Sequence, residues 1–315
     1  MSGFVRGLEL VKTYFFETAL PALRRDYPEL AGRAAAGLVG NGSECFGYDD
    51  EISRDHDWGV DFFIWLPEAD AGRAPELDAW KRRLFREHPP PFGRERSEYG
   101  ALVGAATCGG FYKSLIGFER GPETIGQWRA VPEENLAMAV NGEVFIDGAG
   151  EFTAVREYLL KYYPEDLRRK KIAARCMSLA QTGQYNLDRC LRRGDLVAAY
   201  TVTARFIESA EAMVFLLNRA FRPYYKWAYR AMTELPVLGG ETGGLLRRIA
   251  LAGVAEEERS GAIRRYSSEV CALIADELRR QGLVTTDDWF LTTHGEQVRL
   301  GIADEYLRSL PTQYE

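Results

Sequence analysis

Apolar positions change period several times along the first half of the chain, and each change marks an element. Between Leu8 and Tyr27 they recur at helical spacing (Leu8, Val11, Phe15, Leu20, Leu23), which predicts an opening helix kinked or divided at Pro21. Ala34 to Val39 is a short continuous apolar run ending in Gly40, Asn41 and Gly42, the pattern of a buried strand entering a glycine turn. Trp58 to Leu66, rich in aromatic and β-branched residues and closed by Pro67, predicts a second strand, and Asp78 to His88 a helix. Proline and glycine crowd the stretch from Pro89 to Gly126, which predicts long loops around short elements. Pro132 to Val140 predicts a helix with proline in its first turn, stopped by Asn141 and Gly142 before a short strand, Glu143 to Ile146.

Past Gly150 helical periodicity takes over. It is clearest from Asp195 to Phe221, where Leu196, Tyr200, Ile207, Ala210, Val214, Leu217 and Phe221 form one stripe, Asp195 stands at the N-cap position and Pro223 supplies the stop. The pattern therefore predicts an α+β chain in two parts: a β-sheet domain with helices over residues 1–150, followed by an all-α helical bundle over 151–315. No internal repeat interrupts this division.

A chain of 315 residues with 46% hydrophobic and 27% charged residues has room for two apolar cores, and disorder is excluded. The longest apolar run, Ala212 to Leu217, is far below the roughly 20 residues that cross a bilayer, and the N-terminus does not resemble a signal peptide. No membrane partner and a cytoplasmic location are the expectations. Five cysteines without a CxxC pair and three histidines exclude a disulfide framework and a structural zinc site as expectations. The net charge of −6 argues against nucleic acid as a partner, because phosphate neutralisation needs basic surface. Residues 1–150 carry 24 acids and 16 bases, net −8, and the rest carry 22 acids and 24 bases, net +2. That asymmetry suits a metal on the first half and a polyphosphate on the second.

Candidate chemistry concentrates in the segment GSECFGYDDEISRDHD, residues 42–57. Asp55 and Asp57 lie two apart at the start of the predicted second strand, so both carboxylates would leave one face. Two such groups want a hard cation, and Mg²⁺ takes one or two carboxylates with water and substrate phosphate. Upstream, Gly42 and Ser43 end a strand and open a predicted helix, whose N–H groups favour phosphate. Among the neighbours, Asp49, Asp50 and Glu51 read as a solvated acidic turn, His56 as a packing or structural group, and Cys45 as core.

Gly42, Ser43, Gly47, Ser53, Asp55 and Asp57 resemble the motif of the nucleotidyltransferase superfamily that includes polymerase beta and the aminoglycoside nucleotidyltransferases, with Arg54 as an extra residue between serine and aspartate. A second resemblance, near full-length, is to the uncharacterised bacterial domain-of-unknown-function family 4037, through residues 42–57, YYPED at 162–166 and PYYKW at 223–227. The superfamily resemblance implies a mixed-sheet catalytic domain and a third carboxylate on a later strand, with Asp147 the best fit and Glu143 the reserve. It implies Mg²⁺ or Mn²⁺ held by Asp55, Asp57 and Asp147, and attack by an acceptor hydroxyl on the α-phosphate of a nucleoside triphosphate.

In the second half Lys161, Arg168, Arg169, Lys170, Lys171 and Arg175 form a basic cluster that reads mostly as an exposed helix face. Lys171 and Arg175, at i and i+4, share a face and are candidates for triphosphate binding, as is Lys226 among Tyr224, Tyr225 and Trp227. The resulting expectation is a Mg-dependent nucleotidyltransferase moving a nucleoside monophosphate, AMP from ATP first, to a hydroxyl of a small molecule or protein. The alternatives are a non-catalytic nucleotide-binding sensor on the same fold and a toxin–antitoxin-type enzyme that modifies a protein partner.

Overall fold

The structure is a computed structural model that describes residues 4–55, 57–94, 104–252 and 257–315. The chain divides into two compact units, residues 1–161 and 162–315, so the helix after Gly150 belongs with the first.

The first unit is built on a four-stranded mixed sheet of order β3-β2-β1-β4, with β1 Ala35–Leu38, β2 Phe63–Leu66, β3 Ala105–Thr107 and β4 Glu143–Asp147. The central strand β1 runs antiparallel to both neighbours, β2 and β4, and β3 joins β2 in parallel. The opening helix is interrupted as the sequence leads one to expect, though just ahead of the proline: α1 (Gly7–Tyr14) passes through a π-turn at Phe15–Ala19 into α2 (Leu20–Asp26), where Pro21 takes a first-turn position that needs no N–H donor. Phe15, at the π-turn, is fully buried, with its ring 5.3 Å from that of Phe62 and 5.2 Å from that of Phe145.

The second strand is shorter than its apolar run. Residues 58–62 do not pair with β1; Val60 bridges to Gly93 instead, and a Cβ on Gly59 would come within 2.9 Å of the Phe92 carbonyl oxygen. Asp61 turns inward, where its carboxylate meets the Lys81 ammonium at 2.8 Å on α4 (Ala74–Glu87), both groups being buried. Inside the stretch expected to be loops lie β3, α5 (Cys108–Ile116) and α6 (Ile125–Ala130). Their capping residues account for them: Thr107 accepts from Gly110 N, and Thr124 with Gln127 forms a capping box. Then follow α7 (Glu133–Val140), β4 and α8 (Glu151–Leu160).

The second unit is all helix in its regular structure: α9 (Glu165–Leu179), α10 (Leu196–Asn218), α11 (Tyr225–Thr233), α12 (Gly239–Ala252), α13 (Glu257–Arg280) and α14 (Leu291–Leu300) are its longer elements. Asp195 caps α10 by accepting from Ala198 N at 3.0 Å, as its position predicts. The apolar stripe is buried only beyond the first turns, since Leu196 and Tyr200 stand exposed. The helix ends at Asn218 because Arg219 adopts a left-handed conformation and the Asn218 amide clasps Val237 through both its oxygen and its nitrogen. No helix among the described residues is long and apolar enough to cross a membrane.

Two buried charges give the fold its expected sensitivities. Removing the ammonium in Lys81→Met leaves the buried Asp61 carboxylate without its counter-charge and should cost about 3–5 kcal/mol in urea unfolding, far more than an exposed lysine. In the second unit, burial raises the Glu211 carboxyl to about 7 against the pull of Arg222 and with a small push from Glu208. The native state then holds a proton that the unfolded chain releases near pH ~4.3, so this group's stabilising contribution is present below that pH and is lost as pH rises to about 7. Glu211→Gln should therefore melt higher than the wild type at pH 8, with the difference vanishing below pH 5.

Candidate functional site

One end of the sheet gathers the chemistry. Register places Leu38, the last residue of β1, opposite Glu143, the first of β4, while Phe63, the first of β2, pairs with Gly37. The turn after β1 carries Gly40 at φ +117° and Gly42 at φ +121°, conformations a side chain would strain. The one-turn helix α3 (Ser43–Phe46) follows. The turn before β4 lies against it. Gly40 N donates to Asn141 Oδ1 at 2.8 Å and Asn141 Nδ2 returns to Gly40 O at 2.7 Å, while Gly142 N donates to Cys45 O. Behind them Arg156 of α8 donates to the carbonyls of Val140, Asn141 and Gly142, and burial lowers its pKa.

The acidic segment between α3 and β2 is sorted by burial. Asp49, expected in solvent, is buried; its carboxylate accepts from Gly7 N at 2.6 Å and from the Trp58 indole at 3.0 Å, closing the start of α1. Glu44 is buried too and forms an ion pair with Arg94. Asp50 and Glu51 are exposed, and Asp50 Oδ1 accepts from Ile52 N, Ser53 N and Ser53 Oγ, which opens the 3₁₀ turn Ile52–Asp55 and gives Ser53 a structural role. Asp55 ends that turn, exposed, and Asp57 is half-buried at φ +52°. Neither stands on a strand, so the same-face argument from strand alternation is replaced by proximity within one short loop. The reading of His56 falls outside the described residues.

Sheet register also separates the two candidates for a third carboxylate. Asp147 pairs with Ala35, at the far end of β1 from Gly42 and Ser43. Its oxygens accept from Gly150 N at 3.0 Å and Thr153 N at 2.7 Å, holding the start of α8. Glu143 stands at the near end, half-exposed and paired with Lys12 of α1 at 2.5 Å. Among the described residues, no three or more His, Cys, Asp or Glu side chains are gathered in a group able to hold a metal ion, so Asp55, Asp57 and Asp147 do not form one.

The basic cluster of the second unit is not an exposed face. Arg168 and Lys170 are buried, and Lys170 donates to the carbonyls of Leu310 and Pro311. Lys171 and Arg175 do share a face of α9, and both are engaged by the Glu315 carboxylate, with Lys171 Nζ at 3.4 Å. Lys226 is exposed on α11, its ammonium 5.1 Å above the Trp227 ring. Sequence reasoning missed Lys12, Asn141 and Arg156 at the site. Asn141 had a signal, read only as a helix stop; the other two lie on helices distant in sequence with no local cue.

Residues 128–228 match the family model described as Domain of unknown function (DUF4037). The match holds the two segments at 162–166 and 223–227 and leaves out residues 42–57, so this resemblance is confined to about a third of the chain rather than near full-length. No curated protein and no solved structure matches the chain.

Burial raises the Cys45 thiol to about 12, with Asp49 adding to the shift, and does the same to Cys108. At pH 8 about one thiol in 10⁴ would be ionised. Iodoacetamide should therefore leave both unmodified in the native protein and label them fully in urea, as peptide mass spectrometry would show; rapid native labelling of Cys45 would overturn its reading as a core residue.

Proposed function

We propose that this protein is a divalent-metal-dependent nucleotidyltransferase that moves a nucleoside monophosphate, AMP from ATP by preference, to a hydroxyl of a small molecule or protein. The observation that carries the reading is the convergence, at one end of the sheet, of the Gly40–Ser43 turn, the first residue of β4, Glu143, and the start of β2 that follows the loop of Asp55 and Asp57. In that arrangement the N–H group of Ser43 serves the phosphates, that of Gly42 being donated to Asn41 Oδ1 at 3.0 Å.

The donor set suits Mg²⁺ or Mn²⁺. Asp55 and Asp57 are hard oxygen ligands, and two carboxylates are the number that Mg²⁺ takes when water and substrate phosphate complete its shell. When bound, the ion supplies charge stabilisation at the α-phosphate. Glu143 replaces Asp147 as the third carboxylate of the proposal, because it stands at the right end of β4 and Asp147 is committed to α8. In the transfer itself the acceptor oxygen bonds to the α-phosphorus, the bond to the bridging oxygen breaks, pyrophosphate leaves with that electron pair, and the hydroxyl proton passes to Glu143. Lys12, paired with Glu143, sets the orientation of that carboxylate.

A second reading, a nucleotide-binding module without catalysis, is favoured by one observation: among the described residues no third carboxylate stands grouped with Asp55 and Asp57. Isothermal titration of ATP with Mn²⁺, together with mass spectrometry of candidate acceptors, separates the two. Asp55→Asn and Asp57→Asn should each abolish Mn²⁺-dependent ATP binding; unchanged binding in both would sink either reading. Glu143→Gln should lower turnover by roughly 10²–10⁴-fold and Asp147→Asn only slightly, beyond a loss of helix capping of ~1 kcal/mol. ATP binding with no mass shift in any acceptor would leave the module.

A further inference from the structure

Arg54 interrupts the serine–aspartate spacing of the motif, and the structure shows what it touches. Its guanidinium carbon lies 4.8 Å from the centroid of the Phe4 ring, 4.8 Å from that of Trp58 and 5.3 Å from that of Phe92. The rings also meet one another, Phe4 and Trp58 at 6.0 Å and Trp58 and Phe92 at 5.7 Å. Three aromatic faces from three separate parts of the chain thus converge on one cation, the arrangement in which a ring's negative face attracts positive charge.

What these contacts enclose gives them a functional meaning. Arg54 and Trp58 bracket the loop that holds Asp55 and Asp57, and their contact closes that loop on itself. Both ends are then tied down. On one side Asp50 and Ser53 fix the preceding turn, and on the other the Trp58 indole donates to the buried Asp49, which also holds the start of α1. Phe92 adds a tie to the segment that bridges Val60. Between these anchors Asp57 sits at φ +52°, a left-handed conformation that Asp adopts more readily than most residues with a side chain. A tie between Arg54 and Trp58 reduces the ordering that a ligand of the intervening aspartates would otherwise have to impose.

We propose that Arg54 is a positioning residue: through its contacts with Trp58, Phe4 and Phe92 it holds Asp55 and Asp57 in the arrangement that binds a divalent cation. The proposal rests on the reading of those two aspartates as metal ligands. It differs from a purely structural role in what it lets fail first. A staple for the fold would show itself in thermal stability, whereas a staple for the loop shows itself in metal affinity at unchanged stability.

Mn²⁺ titration followed by electron paramagnetic resonance, with melting measured on the metal-free protein, tests this without any turnover assay. Arg54→Ala should weaken Mn²⁺ binding about three- to tenfold, the scale of an exposed cation–π cluster, while melting as the wild type does. Arg54→Lys, which keeps a cation over the rings, should restore most of the affinity. Phe92→Leu, which removes one exposed ring and no charge, should give a smaller loss in the same direction and serves if Arg54→Ala does not fold. A wild type that binds Mn²⁺, loses it in Asp55→Asn and keeps it in Arg54→Ala and Phe92→Leu overturns this proposal alone. A wild type that binds no Mn²⁺ overturns it together with the metal reading of the aspartates.

Discussion

Two turns, one after β1 and one before β4, lie against each other with no room for a side chain between them. A Cβ on Gly142 would stand 2.0 Å from the carbonyl oxygen of Leu38, and one on Gly37 would stand 2.3 Å from that of Glu143. Glycine is required at both places by contact, and at Gly142 by its φ of +62° as well. The same approach brings the Asn141 amide onto both backbone groups of Gly40 and exposes the carbonyls of 140–142 to Arg156. Glu143 is therefore located by its neighbours' backbone rather than by its own side chain, and the glycine turn after β1 is located by the same contact.

Within that frame the carboxylates divide by what already satisfies them. Asp49 has a backbone N–H and an indole, Asp61 an ammonium, and Asp147 two N–H groups at the head of a helix. Each is a negative charge that the fold has consumed, and a buried carboxylate without such donors would be costly. Asp55 and Asp57 lie nearer solvent, the first exposed and the second half-buried.

The periodicity of apolar residues made the larger elements legible: β1, α4, α7, β4 and the capped start of α10 stand within a few residues of where the pattern puts them. It misled at residues 58–62, where aromatic residues look like a strand but Gly59 and Asp61 commit the backbone to a bridge and an ion pair that no local pattern announces. Helices α5 and α6 were hidden among glycines, although Thr107 and Thr124 carried their capping signals. At the site, the sequence marked Gly42, Ser43, Asp55 and Asp57 as belonging to one segment. It had no means to place Glu143 rather than Asp147 at the Gly42–Ser43 end of the sheet, since that placement depends on antiparallel register, a property of two strands about 100 residues apart.

That same separation governs when the site comes into being. The contact between Gly40 and Asn141 spans 101 positions, whereas β1 and β2 are joined by a connection of 24 residues. At ribosomal rates of ~5–20 residues per second, β4 follows β1 out of the exit tunnel after a delay of about 5–20 s. During that interval the apolar edge of Ala35, Ala36 and Leu38 has no β4 to cover it, and an uncovered strand edge is a template for pairing with another chain. The nascent protein is thus most exposed to misassembly at the edge whose later completion delivers Glu143, and slowing synthesis between residues 40 and 147 would lengthen that hazard rather than relieve it.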